Sequence, residues 1–377
     1  MDYLQLLKKA KRIVIKVGTS TLAHSTGKLN LNQMEHLVRQ IADLQNQNRE
    51  VVLVTSGAVG VGLGRLGLTE RPASIVERQA VAAVGQGLLM QVYEKLFSEY
   101  GQIIAQILLT RSDISDRKRY LNARNTILTL LKYRVIPIIN ENDTVATEEL
   151  KIGENDSLSA LVAGLIEADL LILLSDIDGL YTADPKRDPS ATLIPVVTEV
   201  NSRLMGMAEG AGSNLGTGGM ITKLEAAKMA IAAGTSMVLM NGKDPGKIQN
   251  IFNGTLEGTV FLSNQQVVNS RKRWIAYGPK VNGEIVVDSG AERALLKQGT
   301  SLLPSGILAA YGEFEEGDLI KVCTQSKTEL GRGFTNYGKE QILKILGRKT
   351  SEIEAILGFK TADEVIHRDN LVITTKS

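Results

Sequence analysis

From Arg12 to about residue 260 the chain alternates between two textures, and this alternation limits the possible folds more than any other feature. Short apolar runs at Arg12–Val17, Val51–Thr55, Ile103–Leu109, Val135–Ile139, Leu170–Leu174 and Met237–Met240 read as strands. Several are apolar on both faces, as strands buried in a parallel sheet are. Helical patterns lie between them. In Asn32–Gln47 the residues Met34, Leu37, Val38, Ile41 and Leu44 form one stripe; Asn122–Lys132, Leu158–Ala168 and Lys223–Ala233 are further cases. Asn30 and Asp156 stand where helix N-caps are expected. Strands alternating with helices predict βαβ units: an α/β fold with a mainly parallel sheet and helices on both faces.

After about residue 262 the texture changes. Ser263–Ser270 is polar, and Arg271-Lys272-Arg273 is a basic cluster before Trp274. Short β-like pieces follow at Gly283–Val287, Ser305–Ala310, Asp318–Cys323 and Leu371–Thr374. With 377 residues there is chain for two unequal domains, at about 150 residues each as a prior. The expected division is a large domain over 1–262, a linker over 263–278 and a small β-rich domain over 279–377.

Charge and composition exclude several functions. Lys and Arg number 43 against 41 Asp and Glu, a net of +2, so a strongly basic nucleic-acid binder is not the default. A single cysteine, Cys323, excludes internal disulfides and cysteine zinc sites. His24, His36 and His367 are too scattered for a histidine metal cluster. The start, Met1 to Lys9, lacks a secretory pattern. The most apolar window, Leu158 to Leu174, carries Glu167 and Asp169 and is too short to span a bilayer. A cytoplasmic protein is expected.

Five segments carry candidate chemistry. Ile13-Val14-Ile15-Lys16-Val17-Gly18-Thr19-Ser20 puts a lysine in an otherwise apolar strand. Either it meets an anion at the strand's carboxyl end, where ligands of open α/β sheets bind, or it snorkels from an edge strand. Val51 to Ala58 is a buried strand running into Thr55-Ser56-Gly57. The glycines after it, Gly62-Leu63-Gly64-Arg65-Leu66-Gly67, match a dinucleotide fingerprint. They start too late after the strand and reach no clear second strand, so they read as a flexible loop. Gly333 to Glu340 resembles a P-loop but ends in Glu340, not Ser or Thr, and no buried strand is expected before it.

The third segment gathers Asn140-Glu141-Asn142-Asp143 at a strand exit and Gly153-Glu154-Asn155-Asp156 at a helix start. Carboxylates beside amides suit a zwitterion, whereas turns and an N-cap at Asp156 account for only one or two of these residues. The fourth, Leu174-Ser175-Asp176-Ile177-Asp178-Gly179-Leu180-Tyr181, ends a strand in a loop built to surround a ligand. The fifth is Gly216-Thr217-Gly218-Gly219-Met220-Ile221-Thr222-Lys223, a glycine-rich entry to a helix. Its amides attract phosphate and Lys223 adds a full charge; a plain glycine hinge is the alternative.

In this order and combination, the segments over residues 12 to about 260 resemble the amino acid kinase family. Within it they are similar to the branch that uses ATP to phosphorylate the γ-carboxylate of L-glutamate, the first step of proline synthesis. The tail, with Arg271 to Ile275, Ser301-Leu302-Leu303-Pro304 and Ile366-His367-Arg368-Asp369, resembles a PUA domain. The resemblance implies a three-layer sandwich with a mainly parallel sheet, plus a small β-rich domain. It implies that Lys16 and Lys223 contact phosphate oxygens while Asp156 orients them, and that Ser56, Asp143 and Asn155 hold glutamate. It also implies that Lys16, Ser175, Asp176, Thr217, Gly218, Gly219, Met220, Ile221, Thr222 and Lys223 line the ATP site. Mg²⁺ would be held mainly by the nucleotide phosphates, with no protein metal ligand named. Proline is implied as a feedback inhibitor, and a dimer or tetramer as the assembly.

Two rivals follow from the same residues. A kinase of this fold could act on another small substrate, such as acetylglutamate, aspartate, carbamate or UMP. An RNA-binding or RNA-modifying protein is suggested by the tail. Residues 279–377 hold 13 Lys and Arg and 14 Asp and Glu (13 − 14 = −1), which lacks the basic balance of an RNA surface. RNA is therefore not the expected partner. Arg111 to Arg119, dense in charge, reads as a solvated loop.

Overall fold

The computed structural model describes residues 3–24, 26, 28–70, 72–146, 155–185, 187–209, 219–263 and 281–374. The chain divides into two compact units, Met1–Val267 and Val268–Ser377. The expected linker lies almost wholly outside the described residues.

The first unit runs α1 Tyr3–Lys8, β1 Arg12–Val17, α2 Thr19–Leu22, α3 Leu31–Asn46, β2 Glu50–Val54, α4 Ala58–Leu66, α5 Ile75–Glu99, β3 Ile104–Leu109, α6 Arg111–Ser115 and α7 Arg117–Lys132. It continues with β4 Ile136–Glu141, α8 Asn155–Leu165, β5 Leu170–Ser175, β6 Val196–Val197, α9 Ser202–Glu209, α10 Met220–Ala232, β7 Ser236–Asn241, α11 Lys247–Asn253 and β8 Thr259–Phe261. Eight strands form one sheet in the order β3-β4-β2-β1-β5-β7-β8-β6. From β3 to β7 every pairing is parallel; only β8 runs against β7. The carboxyl ends of six strands therefore share one edge.

Two-residue periodicity divides the two faces. On β1 the side chains of Ile13, Ile15 and Val17 enter one core cluster with Met34, Leu37 and Ile41 of α3, Leu89 and Tyr93 of α5 and Ile248 of α11. The alternate residue Lys16 belongs to the opposite face, where its ammonium meets α8. β1 lies between β2 and β5, so a lysine snorkelling from an edge strand is ruled out.

Three expectations are corrected. Gly62–Gly67 is not a loop, because Gly62 and Gly64 lie within α4. A Cβ at Gly62 would stand 2.0 Å from the Val81 carbonyl oxygen, and one at Gly85 1.7 Å from that of Ala58. These glycines thus serve close packing of α4 on α5. Arg111–Arg119 is not a loop either. Thr110 and Asp113 form a capping box for α6, Asp116 caps α7, and Arg119 pairs with Asp113 at 2.8 Å. Asp156 is no N-cap: α8 already begins at Asn155, and its carboxylate turns to two lysines. Asn30 does cap α3, accepting from the Gln33 N–H at 3.2 Å.

The second unit holds β9 Gly283–Val287, α12 Ser289–Gln298, β10 Ile307–Gly312, β11 Leu319–Cys323, β12 Glu329–Phe334, α13 Lys339–Ile345, α14 Ile353–Leu357 and β13 Leu371–Ile373. Its five strands form a separate sheet, β10-β9-β11-β12-β13, over a core that includes Ile285, Val322, Tyr337 and Ile342. The sequence reading missed β12, whose Gly331 and Gly333 let β13 approach: a Cβ at Gly331 would sit 2.3 Å from the Val372 oxygen. β12 also runs directly into the P-loop-like segment, so the absence of a preceding strand fails as a reason to dismiss it. Glu340 still occupies the Ser/Thr position, and Lys339 pairs with Glu313 at 2.7 Å.

Candidate functional site

The shared strand edge gathers most of the singled-out side chains. Lys16, near the end of β1, is 8% exposed; Asp156, in the first turn of α8, is 1% exposed; Lys223, in the first turn of α10, is 6% exposed. Lys16 Nζ lies 2.5 Å from Asp156 Oδ1, and Lys223 Nζ lies 3.4 Å from Asp156 Oδ2. Two ammonium groups thus converge on one carboxylate in a place with little water. Burial alone would raise the Asp156 pKa, but the adjoining Lys16 and Lys223 charges outweigh it and hold the carboxyl below its ordinary value. Asp156 is thus shared between the two ammonium groups, one on each carboxylate oxygen.

Helix ends meet the same edge. α4, α8 and α10 begin at this edge, after β2, before β5 and before β7 respectively. Their N-termini carry partial positive charge and free N–H groups. Gly57 opens α4 with φ +99°, a left-handed conformation that suits glycine, and turns the chain sharply after Ser56.

On the β2–β4 side the edge is lined with amides and hydroxyls. Asn155 Nδ2 donates to the Thr55 carbonyl at 2.7 Å, to Ser56 Oγ at 2.8 Å and to Asn140 Oδ1 at 3.0 Å. Asn140, the fifth residue of β4, is buried and donates to Gln86 Oε1 at 2.9 Å. Thr55 Oγ1 meets the Tyr93 hydroxyl at 3.0 Å, and burial pushes that phenol's pKa up, keeping it neutral. Asp143 lies half-buried on the turn following β4, at the same end of the sheet.

On the β5–β7 side Ser175 closes β5, donates to Asp176 Oδ1 at 3.0 Å and accepts the Gly242 N–H through its carbonyl at 2.7 Å. Asp176 is exposed. Gly219 precedes α10, and Thr222 Oγ1 donates back to its carbonyl at 2.8 Å. Met220 and Ile221 open the helix half-buried. Thr217 and Gly218 lie outside the described residues, as do Lys151 to Glu154.

Of the singled-out residues, direct bonds therefore join Lys16, Asp156 and Lys223 in one group and Ser56 and Asn155 in another, with Asp156 following Asn155 in the chain. Sequence reasoning did not single out Asn140 as a site residue, and it missed Gln86, Thr55 and Tyr93 as their supports. Asn140 stood within a noted motif. Gln86 and Tyr93 lie on α5, a helix without a clear apolar stripe, so no periodic signal marked them.

The sequence model of the amino acid kinase family matches residues 11–241, and that of the PUA domain matches residues 283–357. The chain belongs to the amino acid kinase family and carries a C-terminal PUA domain. It is 53% identical over 367 residues to the glutamate 5-kinase of Moorella thermoacetica, with 97% of each chain covered. It is 56% identical over 362 residues to the glutamate 5-kinase of Caldanaerobacter subterraneus subsp. tengcongensis, covering 96% of this chain and 97% of the relative. To that of Carboxydothermus hydrogenoformans it is 51% identical over 370 residues, 98% of this chain and 99% of the relative.

Proposed function

We propose that the protein transfers the γ-phosphoryl group of ATP to the γ-carboxylate of L-glutamate, giving the acyl phosphate that opens proline biosynthesis. The observation that carries this reading is the buried Lys16–Asp156–Lys223 triad at the common strand edge; near-full-length similarity to glutamate 5-kinases supports the choice of acid.

On this reading the nucleophile is a carboxylate with an ordinary pKa near 4.3, ionised at neutral pH, so no general base is needed. The barrier is electrostatic: two anions must meet, and charge on the moving phosphoryl group must be offset. Lys16 and Lys223 hold phosphate oxygens and Asp156 fixes both ammonium groups. Ser56, Asp143 and Asn155 hold glutamate, Asp143 through the substrate ammonium. Ser175, Asp176 and the stretch Thr217 to Lys223 line the nucleotide. Among the described residues no group of three His, Cys, Asp or Glu side chains could hold a metal ion, and Asp156 is committed to lysines. On this reading Mg²⁺ would be held mainly by the nucleotide phosphates.

Proline competes for the glutamate pocket on this reading, and the enzyme works as a cytoplasmic homo-oligomer. No helix among the described residues is long and apolar enough to cross a membrane. We assign catalysis to residues 1–262 and a packing or assembly role to 279–377. Glutamate-dependent ADP release, measured with and without proline and beside acetylglutamate, aspartate, carbamate and UMP, tests the proposal. Turnover of another substrate in preference to glutamate would replace it, and insensitivity to proline would remove the inhibitor.

A further inference from the structure

Behind the Ser56–Asn155 corner lies a buried amide that the transfer itself does not use. Gln86 sits midway along α5 and is 8% exposed. Its Oε1 accepts from Asn140 Nδ2 at 2.9 Å. Asn140 Oδ1 in turn accepts from the Glu141 backbone N–H at 2.9 Å and from Asn155 Nδ2 at 3.0 Å. Asn155 Nδ2 reaches on to the Thr55 carbonyl and Ser56 Oγ.

Backbone groups fix the polarity of this row. The Glu141 N–H can only donate, so Asn140 must turn its oxygen toward it. The Thr55 carbonyl can only accept, so Asn155 must turn its nitrogen toward it. The Asn140 NH₂ group is then forced toward α5, where only an acceptor satisfies it, and Gln86 Oε1 is that acceptor. The other end of Gln86 is not balanced: its Nε2 is buried and has no hydrogen-bond partner among the described residues. A glutamine serving only to fill space would be poorly chosen there, because an apolar side chain would bury no orphan donor.

We propose that Gln86 is a positioning residue for the acid substrate, acting through Asn140 on Asn155 and Ser56. With the row held in this sense, Ser56 Oγ accepts from Asn155 and keeps its own proton for a substrate carboxylate. Asn155 keeps its carbonyl oxygen for an ammonium group. The Glu141 and Asn155 contacts hold the oxygen end of the Asn140 amide and Gln86 holds its nitrogen end; without Gln86 that buried NH₂ group loses its acceptor, the side chain is less firmly seated, and the donor and acceptor pattern facing the substrate loosens. The inference rests on the reading of Ser56 and Asn155 as glutamate contacts.

Two variants test it. Gln86→Met keeps length and bulk but removes the acceptor; Gln86→Glu keeps the acceptor. Steady-state kinetics and thermal unfolding are measured for both beside the wild type. In Q86M the KM for glutamate is expected to rise about tenfold, the scale of one lost hydrogen bond of this kind, while kcat and the KM for ATP stay within about twofold. Q86E is expected to keep the glutamate KM within about twofold of wild type, and it decides the matter if Q86M does not fold. A glutamate KM unchanged in Q86M, a tenfold rise in Q86E, or loss of Tm with both KM values and kcat shifting together would overturn the proposal. A wild type that does not turn over glutamate would remove the underlying reading instead; normal wild-type turnover with an unaffected Q86M removes only the role of Gln86.

Discussion

Asp156→Asn tests the charge arithmetic of the site most directly. The wild-type carboxylate stands 2.5 Å from one ammonium and 3.4 Å from another, both on lysines exposed by less than a tenth. Removing one partner of a buried ion pair costs about 3–5 kcal/mol, because a buried charge is left uncompensated. Here a single substitution strips two cations of their carboxylate, so at least about 3 kcal/mol is expected. For a domain of this size that lowers Tm by about 6–12 °C. The sign of the pH dependence follows from the depressed Asp156 pKa. Its stabilisation is fully present above the unfolded value of 3.8 and is lost as pH falls through the lower folded value. Urea unfolding of wild type and D156N at a series of pH values is the assay. The gap should be wide at pH 7 and narrow only below about pH 4. Equal stability at pH 7 would refute the reasoning, since it would mean that the lysines do not depend on this carboxylate in the folded chain.

Three further perturbations probe the same edge. Lys223→Ala removes a cation worth about 4 kcal/mol at about 4 Å and an effective dielectric near 20. If about 3 kcal/mol of that is felt only in the transition state, kcat falls roughly a hundredfold with a smaller rise in glutamate KM, and an unchanged kcat would refute the assignment. Asp143→Ala should raise the KM for glutamate about tenfold or more, the loss of a charge-assisted hydrogen bond, with little effect on ATP; weakening of ATP alone would move the ammonium pocket elsewhere. Gly85→Ala should lower Tm by several degrees, since its Cβ would stand 1.7 Å from the Ala58 carbonyl and 2.5 Å from the Gly62 nitrogen, and overpacking of this kind costs about 1–3 kcal/mol. A wild-type Tm for G85A would mean that α4 and α5 separate freely.

What the sequence made legible, and what it hid, divides by physical cause. Strands such as Arg12–Val17 were readable because burial on both faces leaves an unbroken apolar run, and Lys16 stood out against that run. α3 was readable because one face meets the core and the other meets water. α5 was not: its buried row, Val81, Gly85, Leu89, Tyr93 and Phe97, includes a glycine, and Val84, Leu88, Val92 and Leu96 put apolar residues outside it, so no stripe stands out in the sequence. With α5 unread, Gln86 and Tyr93 could not be placed behind the edge. Gly62 misled because a glycine required by a close helix crossing looks, in sequence, like a glycine that loosens a loop. Asp156 misled the local reading because an acidic residue in a first helical turn is usually a cap; its partners lie 140 residues before it (156 − 16) and 67 after it (223 − 156), beyond any local signal, and only the family resemblance linked it to them.

The strand order explains why these parts can cooperate. Along β4-β2-β1-β5 the edge presents Asn140 and the Asp143 turn, then Ser56, then Lys16, then Ser175. Neighbouring strands lie about 4.8 Å apart, so β2 and β5 stand about 10 Å from each other with β1 between them. On the proposed reading the acid occupies the β4–β2 side and the nucleotide the β5–β7 side, and the phosphoryl group crosses above β1. On that reading Lys16, on the middle strand, faces the position where both meet; α8 and α10 bring Asp156 and Lys223 to the same point. On the proposed reading the parallel arrangement does more than bury the strands: it sets the order in which donor, cation and acceptor follow one another across the edge.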